Sequence, residues 1–261
     1  MTDPVLFERD GAVATIRLNR PDRLNAIDAE AAHLLLEACR RAEREDGLRA
    51  LVLAGEGRAF LAGGDVGAFH EAGDGVQEHV RGLIGLLEET ITVLDRLRMP
   101  VIARVQGAVA GAGMSLMLTG DVVVAADDTK LAFAYGSIGT TPDGGLSWAL
   151  PRAVGHLRAM RIALLGEAIE AEEALRLGLV TKVVPRDELD AATAKVAGRL
   201  AAGPTQAYAR TRELLRGSWR HTLAEQLALE RQSFVASAGT EDFREGVAAF
   251  VERRRPEFRG R

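Results

Sequence analysis

The stretch QGAVAGAGMSLMLTGD, residues 106–121, follows the apolar strand pattern VIARV at 101–105 and opens a short helix. Glycine and alanine in such a run let a ligand approach the main chain closely, and a helix N-terminus presents N–H groups with no intrahelical acceptor. Two familiar motifs fail here on a required residue. A dinucleotide fingerprint needs G-x-G-x-x-G, but Gly111 and Gly113 are followed by Leu116, and the run lies deep in the chain rather than in a first β/α unit. A nucleophile elbow needs G-x-S-x-G, but Gly113-Met114-Ser115-Leu116 ends in Met117. What remains is a bend suited to an anion or a developing oxyanion.

A second stretch of the same kind is GRAFLAGGDVGAF at 57–69. Tight packing of a helix on a sheet explains single glycines, but accounts poorly for two such bends. Around them the chain reads as α/β. Residues 4–18 form two strands about the Asp10-Gly11 turn. From Asp28 to Gly47 one helical face is apolar through Ile27, Ala31, Leu34, Leu35, Ala38 and Ala42. ALVLAG at 50–55 and DVVVAA at 121–126 are short buried strands, and a helix spans about 76–98. This alternation predicts β/α units with mainly parallel pairing. After about residue 185 four helical patterns follow in succession, with Gly203 and Gly239 as stops and Thr240 as a cap.

Composition bounds the partners. The 261 residues are 47% hydrophobic and 27% charged, enough for a substantial core. A net charge of -4 gives no basic field for nucleic acid or an anionic membrane. No apolar run approaches the roughly 20 residues of a bilayer span, and MTDPVLFERDG has no signal-peptide pattern, so a cytoplasmic protein is expected. Cys39 is the only cysteine and sits in a helical apolar pattern, which fits a reducing compartment. The five histidines, His33, His70, His79, His156 and His221, form no metal-ligand pairs, and each is expected in a surface or packing role.

A third segment, GTTPDGG at 139–145, holds a lone acid. Pro142 presets φ, Gly144 accepts positive φ, and Asp143 is either a turn former or the acid of the chemistry.

Taken together these motifs resemble the crotonase superfamily, the enoyl-CoA hydratase/isomerase fold. NRPDRLNAID (19–28) is similar to the family's N-R-P-x-x-x-N-A segment, GRAFLAGGDV to its A-F-x-A-G-x-D turn, and QGAVAGAGMSL to its N-G-x-A-x-G-G-G-x-x-L turn. LPRAVG (150–155), AEEALRLGLVTKVVP (171–185) and FREGVAAFVERRRPEF (243–258) also match. The resemblance implies a ββα spiral core over residues 1–195 and a helical trimerisation region over 196–261. It further implies a homotrimer or a hexamer built as a dimer of trimers, an acyl-CoA thioester substrate and no separate cofactor or metal.

Carried over residue by residue, the thioester oxygen would be held by the amides of Gly64 and Ala112. Ala62, Gly64, Asp65, Val66 and Gly67 would line the thioester and pantetheine path, with Asp65 equally readable as bonding its own turn. Arg23, Leu24 and Ala26 would flank the nucleotide end, and Phe234 and Arg253 would reach a neighbouring subunit's CoA. Typical hydratases of the family place two glutamates where this chain has Ser115 and Tyr135. Neither is a carboxylate, so the usual activation of water is not expected. The isomerase branch instead carries one acid at the position of Asp143, with Tyr135 a second hydrogen-bond donor and Ser115 shaping the pocket. An enoyl-CoA double-bond isomerase is therefore expected. The alternatives are a hydratase or other lyase using Asp143 and a water, and a non-catalytic acyl-CoA binder. The segment VGAFHEAGDGVQEHV (66–80) is expected as a mobile loop of the acyl pocket, with His70, Glu71 and Asp74 on its surface.

Overall fold

Residues 3–261 are described in a computed structural model. Strands β1 (Val5–Asp10) and β2 (Val13–Leu18) form the antiparallel hairpin about Gly11. Helix α1 (Ala29–Arg44) begins where the Asp28 carboxylate accepts the Ala31 amide at 2.9 Å. Strand β3 (Ala50–Gly55) leads through an irregular segment to α2 (Val66–Glu71) and the long α3 (Val76–Arg96). Then follow β4 (Val101–Val105), β5 (Ala108–Ala110), α4 (Ala112–Met117), β6 (Val122–Ala126) and β7 (Lys130–Ala132). Helices α5 (Leu146–Val154) and α6 (His156–Leu165), strand β8 (Ile169–Glu170), α7 (Ala171–Arg176) and β9 (Lys182–Val184) complete the spiral, and α8 (Leu189–Ala201) covers it. Helices α9 (Thr205–Gly217), α10 (Leu223–Ala238) and α11 (Glu241–Glu252) form the C-terminal part.

The main sheet has the order β1-β2-β3-β4-β6-β9, parallel throughout except for β1. A parallel sheet is buried on both faces, which is why ALVLAG reads as a continuous apolar run. Alternate residues go to opposite sides. Leu51, Leu53, Ala103, Val105, Val123 and Ala125 join α1, α3 and α4 in the larger core, while Ala50, Val52, Ile102, Val124 and Ala126 join α8 in the smaller.

A second small sheet, β5-β7-β8, was not foreseen, because strands of two or three residues leave no period to read. Its addition makes the repeat clear. β4-β5-α4 and β6-β7-α5 each place one strand in the main sheet, one in the small sheet, and then a helix. The run after β3 does the same without a full second strand, since Leu61 bridges Val109 in parallel before α2 begins. The chain is thus α/β, with a spiral core and C-terminal helices.

Three further differences from the sequence reading have local causes. Residues 66–80 are mostly helical rather than a loop, because Asp65 caps α2 and the Gly73–Gly75 turn runs directly into α3. Helices α5 and α6 were missed because Pro151 and Gly155 interrupt what would otherwise be one pattern. Finally, α8 runs unbroken across 195–196 and packs on the sheet, so the chain leaves the core only after Gly203 and Pro204. Arg212 then ties α9 back, its Nε donating to Asp121 Oδ2 at 2.6 Å.

Candidate active site

The strand-to-helix turns of three successive repeats meet at one place. The first turn contains Gly64. Residues 24–27 run alongside it, with the Ala62 amide donating to the Leu24 carbonyl, the Ile27 amide to Gly63, and the Asp65 amide to Ile27. This parallel bridge faces the Gly63 carbonyl and the Asp65 amide toward Ile27, so the Gly64 amide between them points away. Arg23, Leu24 and Ala26 are therefore held beside Ala62, Gly64 and Asp65. Val66 and Gly67 lie exposed in the first turn of α2. Asp65 is an N-cap: its carboxylate accepts the Ala68 amide at 3.4 Å and faces Arg20 and Arg23 at 3.5 Å each. The turn-bonding role weighed for it is thus present in the geometry.

Two buried amides that sequence reasoning did not single out fix this turn. Asn25 Nδ2 reaches the carbonyls of Glu56, Ala59 and Phe60 while its Oδ1 accepts the Arg20 amide at 2.8 Å. Gln106 Nε2 donates to Gly55 at 2.7 Å and to Ala59 at 3.1 Å. Both satisfy carbonyls that would otherwise be buried without partners.

The second turn contains Gly111, Ala112 and Gly113. Gly111 adopts φ 52° and ψ -120°, a conformation open chiefly to glycine, and its amide donates to Ala132 at 3.1 Å. Ala112 is then the first residue of α4. Among the described residues neither the Gly64 nor the Ala112 amide donates a hydrogen bond. The turns are adjacent: a Cβ on Gly111 would lie 3.9 Å from Gly63 Cα.

The third turn carries the acid. Ala134 takes a left-handed φ of 59° just before Tyr135, whose ring packs edge-on against Phe133 with centroids 5.2 Å apart. Tyr135 is buried, and its hydroxyl donates to Asp143 Oδ1 at 2.7 Å. The Ser115 hydroxyl donates to the Asp143 carbonyl at 3.0 Å and lies 3.4 Å from the Tyr135 oxygen. The same tyrosine closes on the second turn, its Cζ 3.8 Å from where a Gly111 side chain would start. Ala112, Ser115, Tyr135 and Asp143 therefore form one group, contiguous with Gly64.

Asp143 is half-buried, and burial pushes its carboxyl above the usual carboxylate range, with the Glu88 charge acting in the same sense. The Tyr135 hydrogen bond opposes this. Burial and the neighbouring carboxylate push the Tyr135 phenol well up, so at neutral pH it is a hydrogen-bond donor rather than a phenolate. Cys39, by contrast, is fully buried in α1 and its thiol is pushed up by desolvation, which leaves it an inert packing residue.

A cleft of about 260 Å³ lies behind the acid turn, lined by Ile91, Leu118 and Trp148 together with Ser115, Gly144 and Gly145. Two larger clefts of about 470 Å³ are elsewhere, walled by charged side chains such as Glu173, Arg176, Glu245 and Arg254 that pair with one another. Among the described residues no cluster of three metal-ligating side chains occurs, and no helix is long and apolar enough to cross a membrane.

Two expected site residues are not brought to this group within one chain. Phe234 on α10 is 68% exposed and packs against Phe243, and Arg253 caps α11 in a left-handed conformation. His70, Glu71 and Asp74 are exposed, as expected. Phe69 was not singled out in the sequence; it is the fourth residue after the cap of α2, and the tip of its ring lies beside Gly64.

The sequence profile of the family described as Enoyl-CoA hydratase/isomerase matches residues 8–261. The chain belongs to that family. It is an enzyme of the crotonase superfamily, as its resemblance implied. A protein of Rhodobacter capsulatus named probable enoyl-CoA hydratase is 41% identical over 98% of each chain. The 1,2-epoxyphenylacetyl-CoA isomerase of Escherichia coli is 36% identical over the whole of both. An enoyl-CoA hydratase/isomerase structure from Mycobacterium abscessus superposes with a TM-score of 0.94 at 33% identity, covering 98% of this chain and 100% of that one. Within the enoyl-CoA hydratase/isomerase family, this chain combines two free turn amides with a single Asp-Tyr pair.

Proposed function

We propose that the protein is an enoyl-CoA double-bond isomerase that moves a proton from C2 to C4 of a 3-enoyl thioester. The observation that carries the reading is the Tyr135–Asp143 hydrogen bond at 2.7 Å, in a group that has a serine where a second carboxylate would be needed to activate water. The Gly64 and Ala112 amides donate hydrogen bonds to the thioester carbonyl oxygen. The Asp143 carboxylate takes the C2 proton, the electron pair moves into a dienolate, and the charge on oxygen is met by the two amides. The same carboxyl, now protonated, returns the proton at C4, and the double bond ends conjugated with the thioester. One acid suffices because it is base and then acid. Preorganised backbone donors of this kind are each worth roughly 3 to 4 kcal/mol in related acyl chemistry. No cofactor takes part in this scheme.

The hydratase name of the 41% identical relative supports a second reading, in which Asp143 activates a water. The two separate cleanly. The wild-type enzyme is expected to convert 3-hexenoyl-CoA to 2-hexenoyl-CoA, and to incorporate heavy oxygen from solvent into 2-hexenoyl-CoA far more slowly. A reversed ratio would establish hydration instead. Tyr135→Phe refines the assignment. Loss of a hydrogen bond to a charged group is expected to lower kcat by about 10- to 100-fold. Because that bond holds the Asp143 pKa down, its loss also moves the acid limb of kcat/KM to higher pH. An unmoved limb would show that Asp143 is not the titrating base.

The helical region 196–261 is proposed to join copies of the chain into a trimer or hexamer, which would bring Phe234 and Arg253 to a neighbour's CoA. Support comes from its exposed apolar side chains, with Phe250 at 86% and Val251 at 75% exposure. Sedimentation is expected to give three or six copies, and a monomer at micromolar concentration would remove the proposal.

A further inference from the structure

Ser115 lies on α4, a short helix whose six residues are all buried. A serine or threonine buried in a helix ordinarily returns its hydroxyl to a carbonyl of the preceding turn. Thr119, just past the end of α4, does so, its Oγ1 donating to the Leu116 carbonyl at 2.7 Å. Ser115 instead reaches across to another element and donates to the Asp143 main-chain carbonyl at 3.0 Å. Its Oγ also lies 3.4 Å from the Tyr135 oxygen, but the Tyr135 proton is directed at Asp143 Oδ1, and the single Ser115 proton serves the nearer carbonyl.

Folding does not require this bond. The Asp143 carbonyl also accepts the Leu146 amide at 3.1 Å, so without Ser115 it would still be paired. Alanine at 115 would suit the apolar helix better, by propensity and by removing a hydroxyl from the interior. The contact is nevertheless built closely. Gly144 has φ 54°, and a Cβ there would lie 2.8 Å from Ser115 Cβ and 3.2 Å from its Oγ. The glycine thus lets the acid turn settle directly on α4. Ala112 stands one turn earlier on the same helix, so the bond puts Asp143 and the Ala112 amide in one rigid frame.

We propose that Ser115 is a positioning residue acting through Asp143: by holding the Asp143 main chain against α4, its hydroxyl keeps the carboxyl on the Tyr135 hydroxyl and aligned with the Ala112 amide. This rests on the reading of Asp143 as the base, and goes beyond it by naming what fixes that base in place. Without the Ser115 hydroxyl the acid turn loosens from α4 and the carboxyl leaves Tyr135. The other groups facing the carboxyl stay as they are. Glu88 on α3 keeps its charge, α4 carries no titratable side chain, and the first one on α5, Arg152, is stacked on Trp148. Loss of the Ser115 hydroxyl therefore acts on Asp143 as loss of the Tyr135 hydroxyl does, by releasing the hydrogen bond that holds its pKa down.

Asp143 is the base in the isomerase and the hydratase reading alike, so the test uses 3-hexenoyl-CoA or 2-hexenoyl-CoA, whichever wild type turns over. Ser115→Ala is expected to lower kcat about tenfold, with the affinity for saturated hexanoyl-CoA unchanged and the melting temperature equal or higher. Its acid limb of kcat/KM should move to higher pH. In the double variant Ser115→Ala/Tyr135→Phe the limb should move no further than in Tyr135→Phe alone, because both substitutions break the same bond. Ser115→Thr keeps the hydroxyl and should hold the limb at its wild-type position. An unmoved limb in Ser115→Ala, a Ser115→Thr limb displaced as far as that of Ser115→Ala, or shifts that add in the double variant would each overturn the proposal. So would lost activity accompanied by weaker hexanoyl-CoA binding and a lowered melting temperature, which would mark a packing role. If Asp143→Asn turns over as fast as wild type, the base is misassigned and both readings fall; an inactive Asp143→Asn beside a wild-type-like Ser115→Ala removes the Ser115 proposal alone.

Discussion

Asp143→Asn is expected to lower kcat for 3-enoyl to 2-enoyl conversion by at least 10³-fold while leaving acyl-CoA affinity within a few-fold of wild type. General acid-base catalysis by a positioned group contributes about 10² to 10⁴. Here one carboxyl performs both transfers, so the loss falls at the upper end. Asparagine keeps the shape and can still accept the Tyr135 hydrogen bond, but it cannot take a proton. Near-wild-type turnover in a steady-state assay would remove Asp143 from the chemistry and, with it, the isomerase mechanism.

The same variant makes a prediction about stability whose sign is opposite to that for an ion-paired aspartate. Burial raises the Asp143 pKa in the folded state above its unfolded value of about 3.9. In the window between those two values the folded protein binds more protons than the unfolded chain, so stability falls as pH rises through it. At pH 7 wild type carries the full cost of a desolvated charge and Asp143→Asn does not. The variant is therefore expected to melt at the same temperature or higher at pH 7, with the difference vanishing at about pH 4 and below. A functional group held at a cost to stability is a common feature of active sites. A variant that is both inactive and strongly destabilised at pH 7 would instead mark Asp143 as a turn residue whose loss unfolds the 139–145 segment.

Much of this site was readable in the sequence, for reasons that differ between its parts. The strands of the main sheet announce themselves because both faces are buried, so β3 and β6 are apolar at nearly every position. The two glycine-rich bends follow from runs of small residues ahead of helices, a local signal, whereas the amides of Gly64 and Ala112 were assigned as donors by resemblance to the family. The pairing of Tyr135 with Asp143 has no such signal. It depends on the left-handed Ala134 and on a short 3₁₀ turn at Tyr135–Ile138 that bring residues eight apart into contact. The bracing of the first turn by Asn25 and Gln106 was also hidden, because those side chains bond carbonyls from 31 to 51 residues away along the chain. His79 was expected in a surface or packing role, and nothing in its spacing shows that its Nε2 is buried with no hydrogen-bond partner among the described residues.

Gly113→Ala is the second change of large expected effect, and here helix propensity and packing predict opposite signs. Alanine is favoured over glycine within a helix by about 1 kcal/mol. At position 113, however, the added Cβ would lie 2.2 Å from the Leu61 carbonyl oxygen and 3.1 Å from its carbon. That oxygen is fixed, since it accepts the Ala110 amide at 2.9 Å in the bridge between the first two turns. No rotamer change relieves a clash between a Cβ and the main chain, so α4 must move away from residues 60–64. Overpacking of this kind costs typically 1–3 kcal/mol or more, which outweighs the propensity gain. The displacement acts directly on the Ala112 amide, one residue away, and a misplacement of about 1 Å in a catalytic group is enough to cost about 10²-fold in rate. Gly82→Ala on α3 is the matched control: nothing lies within 4 Å of its new Cβ. That control should gain about 0.5–1 kcal/mol by denaturant titration with activity unchanged, because only propensity acts there. Gly113→Ala should lose both stability and turnover. If it matched the control in either respect, α4 would not be clamped against the first turn, and the geometry assigned to the two amides would be wrong.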